Sequence, residues 1–325
     1  MRVSAPTNFP RPRQTPAPAV RLFLLSIALL LLGGCGGQSA PGDNGRAADG
    51  KINAVCTTGM VADMVRQIGG DRVSVAALMG PGVDPHYYKA SQSDIARLGK
   101  ADIIVYNGLF LEGKMQDIFT KMAAKKQIVV AAEGLPPQRL RPVGPDEYDP
   151  HIWFDVSLWT LTLDNVVAGL SAVDPDGSET FRRNAEAYRA RLDGLHAWVQ
   201  AEIDRIPAQR RVLVTAHDAF GYFGMAYGIE VVGLQGISTV AEYGVNDVSN
   251  LVELIVSRGI GAIFVESSVS ERSIQAVREG CLARGFEVKI GGTLYSDAMG
   301  EAGSGADDYV GMVRSNVATI VEALR

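Results

Sequence analysis

Three of the chain's four histidines follow predicted strands, in loops where ligand-binding side chains are common. His86 lies in GPGVDPHYY and His151 in YDPHIWFD, while His217 lies in VTAHDAF and Asp297 in LYSDAMG. Open α/β sheets bind ligands just beyond the carboxyl ends of their strands, so these four side chains are expected to meet at one cleft. Three imidazoles and one carboxylate form a normal ligand set for a divalent transition metal. His86, His151, His217 and Asp297 are therefore candidate metal ligands, although their spacing alone fits a metal site and a set of hydrogen-bonded loop residues equally well.

The tripeptide Asp-Pro-His occurs twice, at 84–86 and at 149–151. A single loop histidine is more often a hydrogen-bonded surface group than a metal ligand, but the repeat argues against that interpretation. Proline fixes its own φ and restricts the residue before it, so each histidine is presented from a stiffened turn. Asp84 or Asp149 could also serve as a carboxylate partner for an imidazole. The fourth histidine, His196, lies on a predicted helix and is interpreted as a surface or packing residue.

Short apolar strands alternate with helices in both halves of the chain, which is typical of an α/β fold with parallel sheets covered on both faces. In the first half we predict strands at Ile52–Thr57, Val73–Leu78, Ile103–Tyr106 and Gln127–Ala131, helices at Met60–Ile68, Ser91–Leu98 and Leu111–Lys125, and a Pro-rich loop at Leu135–Pro150. In the second half we predict strands at Val212–Thr215, Glu230–Leu234, Ala262–Val265 and Glu287–Ile290, and helices at Ala219–Tyr227, Asp247–Arg258, Glu271–Arg284 and Asp307–Leu324.

One long helix is predicted between these halves, from Asp176 to Ile206. Its apolar residues recur every three or four positions and so form one continuous stripe. Asp176 and Glu179 have the spacing of a capping box, and about 30 residues give a rod of roughly 45 Å. It could be an ordinary surface helix, but the similar halves on either side favour a rigid spacer. We therefore predict an N-terminal lobe at 51–175, a linking helix at 176–206 and a C-terminal lobe at 207–325, with only small tilts between lobes.

The N-terminus has the pattern of an export signal. Arginines precede the apolar run Leu22–Leu32, which is too short to span a bilayer, and small residues lead into Cys35. This pattern resembles the lipobox of bacterial lipoproteins, in which the cysteine is acylated. We predict a signal peptide at 1–34, lipidation of Cys35 and a flexible tether at 35–50. A plain secretory signal with an incidental cysteine remains the alternative, and the true translation start could lie downstream of Met1.

The overall composition indicates a globular protein that does not bind nucleic acid. The chain has 325 residues, 47% of them hydrophobic and 21% charged, and a net charge of -5. That length is sufficient for two domains, and no basic cluster suggests a nucleic-acid partner. Export permits a disulfide between Cys56 and Cys281. Since one lies in a predicted strand of the first lobe and the other in a helix of the second, we expect two buried free thiols.

Four segments together resemble one known family, and they occur in the family's order: GPGVDPHYYKASQSD, DPHIWFD, TAHDAFGYFGMAYGIEVVGLQGIST and KIGGTLYSDAMG. They are similar to the zinc/manganese metal-receptor family of ABC-importer solute-binding proteins, and the resemblance covers nearly everything after residue 50. It implies two α/β lobes on a helical backbone, with His86, His151, His217 and Asp297 as the metal ligands. It also implies capture of Zn²⁺ or Mn²⁺ outside the cytoplasmic membrane and delivery to a permease with its ATPase. The expected protein is a monomeric, lipid-anchored receptor and not an enzyme.

The resemblance leaves the choice of metal open. Many zinc-specific members carry a His-rich acidic loop before the second ligand motif, whereas this chain has PPQRLRPVGPDEYDP, without a histidine. The family uses Glu or His at the position of His217, and the Glu form goes with manganese. Imidazole suits Zn²⁺ and a carboxylate suits Mn²⁺. We expect tighter binding of zinc, with manganese binding still measurable.

Two other functions remain possible from the sequence. A secreted metallohydrolase would need an open coordination position and a general base, for which Glu266 in IFVESS is a candidate, although it is more readily interpreted as a hydrogen-bonding residue. No HExxH-type base occurs in the sequence. Some relatives have also been described as adhesins, but this chain has no adhesin motif of its own.

Overall fold

The first half of the chain forms a four-stranded parallel sheet in the computed structural model, which describes residues 50–325. The order is β2-β1-β3-β4, with β1 at Ile52–Cys56, β2 at Val73–Ala77, β3 at Ile103–Tyr106 and β4 at Gln127–Val130. Helices α1 at Gly59–Gly69, α2 at Gln92–Lys100 and α3 at Gln116–Ala123 lie between these strands in the sequence. Alternate residues of β1 face different cores, since Ala54 packs with α1 while Val55 packs with Leu98 of α2. The predicted parallel sheet with helices on both faces is thus confirmed for this half.

The middle of the chain contains elements that the sequence did not predict. The Pro-rich segment forms a small antiparallel hairpin, with β5 at Pro142–Gly144 and β6 at Glu147–Tyr148. The next segment forms α4 at Val156–Leu161 and α5 at Leu163–Val173. Residues Val156–Val173 are long and apolar enough to span a membrane, but they are half-buried and pack against the next helix as part of the core.

The long helix α6 runs from Ser178 to Ile203, slightly shorter than predicted. It buries the predicted stripe, namely Phe181, Ala185, Tyr188, Leu192, Leu195, Val199 and Ile203. The predicted capping box is wrong, because the chain makes a 3₁₀ turn at Pro175–Gly177 that leaves Gly177, not Asp176, at the N-cap.

The second half repeats the strand order of the first. Strand β7 at Val212–His217 pairs in parallel with β8 at Glu230–Gln235, and β9 at Ala262–Glu266 pairs in parallel with β10 at Lys289–Leu294. Since β7 lies beside β9, the spatial order is β8-β7-β9-β10, which matches β2-β1-β3-β4. The helices are α7 at Gly221–Tyr227, α8 at Val245–Arg258, α9 at Arg272–Ala283 and α10 at Tyr309–Leu324. Helix α6 packs on α1, α4 and α5 from the first half and on α10 from the second, so one helix supports both sheets.

Two boundary differences bear on the site. The helix predicted from Leu111 begins only at Gln116, because Leu109 and Phe110 adopt positive φ angles of 51° and 65° and the buried Glu112 accepts hydrogen bonds from the preceding backbone. His217 is the last residue of β7 and not part of the following loop. The body of a strand therefore fixes the backbone of this histidine.

The two described cysteines are free and buried, as predicted. Cys56 lies at the end of β1 and Cys281 lies in α9, in different halves of the fold. Burial raises the pKa of Cys56 to about 12, so its thiol stays protonated and unreactive at neutral pH. Cys35 and the predicted signal peptide lie outside the described residues.

We predict that Leu192→Ala destabilises the whole fold, because Leu192 is fully buried at the centre of α6. Removing such a side chain from a core costs about 2 to 5 kcal/mol of unfolding free energy. Urea unfolding of the metal-free protein measures this. The control is Asp193→Ala, the neighbouring exposed position, which should change stability by less than about 0.5 kcal/mol. Equal stability of the two variants would contradict the central role of α6.

Candidate metal centre

The four predicted ligands come together although they are far apart in the sequence. His86 lies in the turn after β2, His151 just before a 3₁₀ turn at Ile152–Phe154, His217 at the end of β7, and Asp297 in the loop after β10. One ligand atom from each residue lies within 4.8 Å of the others. All four residues are buried, and His86 is the most exposed of them at 5%. Both sheets thus direct side chains from their carboxyl edges toward one point.

The spacing of the ligand atoms suits a tetrahedral ion. The Nε2 atoms of His86 and His151 are 3.2 Å apart, and Asp297 places Oδ1 3.4 Å from His151 Nε2 and Oδ2 3.3 Å from His217 Nε2. Metal–ligand bonds of about 2.0 to 2.1 Å give a tetrahedron with edges of about 3.3 Å. These three separations are close to a tetrahedral edge, and the ligand atoms of all four residues lie within 4.8 Å of one another.

Asp297 supports the same interpretation through its unsatisfied oxygens. Both carboxylate oxygens are buried and accept no hydrogen bond within the described part of the chain. Burial acts to raise the pKa of Asp297, but the neighbouring His217 and His151 outweigh it and hold that pKa well below its usual range. A buried ionised carboxylate without donors is costly unless a positive group neutralises it. A divalent cation would neutralise it directly.

Asp149 orients the His151 ring. Its Oδ1 accepts a hydrogen bond from the His151 backbone N–H at 2.9 Å and lies 2.7 Å from ring Nδ1. A proton held on Nδ1 by this carboxylate leaves Nε2 free to coordinate. Burial acts to lower the pKa of His151, but the Asp149 charge outweighs it and raises that pKa to about 9. Asp149 therefore contacts the imidazole as a carboxylate partner, as predicted from the sequence.

Glu266 does the same for His217. It ends β9 and accepts a hydrogen bond from the His217 backbone N–H at 2.8 Å, while its Oε2 lies 2.6 Å from ring Nδ1. Burial acts to lower the pKa of His217, but the Glu266 charge raises it well above its usual value. The sequence analysis identified Glu266 as a hydrogen-bonding residue but missed that its partner is a predicted ligand. Its position at the end of the strand next to β7 is the signal that could have revealed this.

Asp84 has a different role from its counterpart Asp149. Its Oδ1 accepts a hydrogen bond from the His86 backbone N–H at 2.8 Å, and its Oδ2 accepts one from the Thr239 hydroxyl at 2.6 Å. Asp84 therefore fixes the turn and ties it to the second half of the chain, but it does not hold the His86 ring. Burial lowers the pKa of His86 to about 4, which keeps this imidazole neutral and ready to coordinate at physiological pH.

A cavity of about 530 Å³ opens beside His86. Its walls include Phe110, Lys114 and Tyr148 from the first half and Val240 from the second. His86 lines this cavity, whereas His151, His217 and Asp297 do not. The side of the site that bears His86 is therefore the side nearest to solvent. The fourth histidine, His196, lies elsewhere and contacts the Tyr227 hydroxyl at 3.0 Å, in agreement with a packing role.

The fold and the site together define a two-sheet binding protein with a buried metal cage. The profile of the family described as "Zinc-uptake complex component A periplasmic" matches residues 54–323. This chain is a member of that family of solute-binding proteins of metal ABC transporters.

Named relatives agree with this membership. The chain is 49% identical to the manganese-binding lipoprotein MntA of Bacillus subtilis, over 92% of this chain and 97% of that protein. It is 46% identical to the zinc-binding protein TroA of Treponema pallidum, over 94% of this chain and 98% of that protein. The solved structure of periplasmic TroA from T. pallidum matches with a TM-score of 0.83, covering 85% of this chain and 99% of that one.

These matches confirm two of the predictions made from the sequence. The α/β fold with a long helix linking two parallel-sheet halves is that of the TroA structure. The chain is a binding protein and not an enzyme, because the family consists of transporter subunits that bind their substrate.

We predict that Zn²⁺ affinity falls as the pH falls from about 8 to about 5, because imidazole must be neutral to coordinate. His151 has a pKa of about 9, so below that pH in the metal-free protein its ring carries a second proton. The ion must displace this second proton to bind. His86, with a pKa of about 4, adds competition only at the acidic end. Each displaced proton weakens binding by up to about tenfold per pH unit. Competition titration with a chelator, corrected for the chelator's own protonation, measures this, and a constant affinity across the range would contradict it.

Proposed function

We propose that this protein is the metal-receptor subunit of an ABC importer, and that it captures Zn²⁺ or Mn²⁺ and delivers the ion to a membrane permease driven by an ATPase. The observation that carries the proposal is the buried cage of three imidazoles and one carboxylate, whose ligand atoms lie within 4.8 Å of one another. Family membership supports the transport role. The metal is cargo, so the protein binds and releases it without chemical change.

We assign the four cage residues as the ligands. His86, His151 and His217 would each coordinate through Nε2, and Asp297 would coordinate through a carboxylate oxygen. Four protein ligands complete a tetrahedral shell and leave no position for a catalytic water, unlike the three-ligand sites of zinc hydrolases. The ligand set therefore favours reversible binding of the ion over hydrolysis.

Removing one ligand tests this assignment. We predict that His86→Ala and Asp297→Ala each weaken Zn²⁺ binding by at least about a hundredfold, since each removes a coordination bond that other groups cannot replace. Calorimetric titration measures the affinity, and circular dichroism checks that both variants remain folded. His196→Ala is the matched control, because this histidine lies outside the cage. Wild-type affinity in both ligand variants would remove these residues from the site.

The choice between the two metals depends on His217. MntA, at 49% identity, is named for manganese, and TroA, at 46% identity, is named for zinc. The donor set of this chain, three imidazoles with a single carboxylate, suits Zn²⁺ better than Mn²⁺. We therefore propose tighter binding of zinc, with manganese as a weaker second cargo.

We predict that His217→Glu narrows the preference for zinc over manganese, because a carboxylate is a harder ligand that suits Mn²⁺. Paired competition titrations with both ions on wild type and variant, at one pH, measure the preference. His196→Glu controls for the added charge alone. A wild type that prefers manganese, or a variant whose preference moves further toward zinc, would contradict the assignment.

We also propose that the protein is held at the outer face of a membrane by acylated Cys35, with residues 35–50 as a tether and residues 1–34 removed as a signal peptide. Relatives named as lipoproteins support the anchor. The mature body would act as a monomer, with lobes at 51–175 and 207–325 on either side of the helix at 176–206. Because this helix packs against elements of both halves, we propose that metal release involves small tilts and loop movements.

Membrane fractionation tests the anchor. We predict that Cys35→Ser moves the protein from the membrane fraction to the soluble fraction, because acyl chains supply the membrane affinity. Cys281→Ser is the control, since that thiol is buried in α9 and should leave the distribution unchanged. A wild type that is already soluble would contradict the anchor.

A further inference from the structure

Arg141 bridges two carboxylates that lie next to cage residues in the sequence. Its Nη1 donates to Asp149 Oδ2 at 2.9 Å, and its Nη2 donates to Asp218 Oδ2 at 2.6 Å. Asp149 belongs to the segment that carries His151, and Asp218 directly follows His217. One guanidinium group therefore connects the segments that carry a ligand from each half of the chain.

The bridge to Asp149 continues into the His151 ring. Asp149 uses Oδ2 for Arg141 and Oδ1 for His151, and its side chain is fully buried. A carboxylate with only one partner could rotate about its χ2 bond, whereas two partners on opposite oxygens fix its plane. Asp149 sets the orientation of the His151 ring. Because Arg141 fixes the plane of the Asp149 carboxylate, it fixes that orientation indirectly.

The backbone around Arg141 shows that this position is built into the fold. The β5–β6 hairpin lies between the two residues, and its base is closed by a hydrogen bond from Asp149 N–H to Arg141 C=O at 2.9 Å. The Tyr222 hydroxyl accepts a hydrogen bond from Arg141 N–H at 3.0 Å and donates one to Asp149 C=O at 2.9 Å. Tyr222 is buried in α7, so the second half of the chain holds both ends of the hairpin.

Gly221 provides the space for the guanidinium. A Cβ atom at this position would lie 2.4 Å from Arg141 Nη1 and 2.7 Å from Cζ. Gly221 begins α7, where alanine is compatible with the backbone. The smallest possible side chain at residue 221 would therefore displace the Arg141 side chain without removing any charged group.

We propose that Arg141 is a positioning residue for the metal centre: by bridging Asp149 and Asp218 it holds His151 and His217 at coordinating distance across the two halves. This inference rests on the proposed metal-binding function. Arg141 does not touch the ion and acts only through Asp149 and Asp218. Loss of a group that supports a metal-bound histidine typically weakens metal affinity by about 10- to 100-fold.

The experiment measures Zn²⁺ affinity by chelator competition in wild type, Arg141→Ala, Arg141→Lys and Gly221→Ala. The alanine variants at 141 and 221 should each bind Zn²⁺ about tenfold more weakly, and Arg141→Lys should fall between them and wild type because an ammonium lacks the planar fork. The matched control is Arg139→Ala, which removes an ion pair to Asp155 from the same segment and should change affinity less than about twofold. Gly221→Ala keeps the test valid if Arg141→Ala folds poorly.

Two further readouts separate positioning from general stability. Asp218→Asn is measured alone and combined with Arg141→Ala. The double variant should bind no more than about twofold more weakly than Arg141→Ala alone, because both changes break the same bridge. The visible absorption spectrum of the Co²⁺ form, which reports ligand geometry, should change in Arg141→Ala and remain as in wild type in Arg139→Ala. Fully additive losses, or wild-type affinity in both Arg141→Ala and Gly221→Ala, would overturn the inference. A wild type that does not bind Zn²⁺ would overturn the proposed function and this inference with it.

Discussion

The metal centre depends on one constraint, the burial of carboxylates beside imidazoles. Asp297 is 1% exposed, and Asp149 and Glu266 are also buried. Such groups are stable only when positive charge or donors surround them. Asp149 accepts a hydrogen bond from the His151 backbone N–H and lies against ring Nδ1. Glu266 accepts one from the His217 backbone N–H, and its Oε2 lies 2.6 Å from ring Nδ1. Asp297 finds only the Nε2 atoms that face the cage centre, so its charge remains available for an ion.

The arrangement of the fold follows from the need to bring these groups to one point. Each half contributes parallel strands in the same spatial order, and each half supplies two of the four cage residues. Helix α6 packs on elements of both halves, which restricts how far the two pairs of ligands can separate. The Asp84–Thr239 hydrogen bond and the Arg141–Asp218 ion pair connect loops of the two halves near the site. We therefore expect release of the ion to involve small movements rather than wide opening.

The parts of this structure that could be predicted from the sequence are mainly those with regularly spaced apolar residues. The buried stripe of α6 was predicted from its period, because apolar positions three and four apart share a helix face. The four cage residues were candidates because of their places after strands and the repeated Asp-Pro-His, and the resemblance to a known family then assigned them as ligands. The β5–β6 hairpin was not predicted, since strands of three and two residues in a Pro-rich segment have no detectable alternation. The role of Arg141 was also hidden, because its carboxylate partners lie 8 and 77 residues away.

The measurement that tests the central claim most directly is a crystal structure of the Zn²⁺-loaded protein with anomalous diffraction at the zinc edge. We predict one strong anomalous peak inside the cage, about 2.0 to 2.1 Å from the Nε2 atoms of His86, His151 and His217 and about 2.0 to 2.2 Å from an Asp297 oxygen. Asp149 and Glu266 should keep their contacts to Nδ1. A zinc peak at another position, or a cage in which one of these four residues does not bind the ion, would contradict the account.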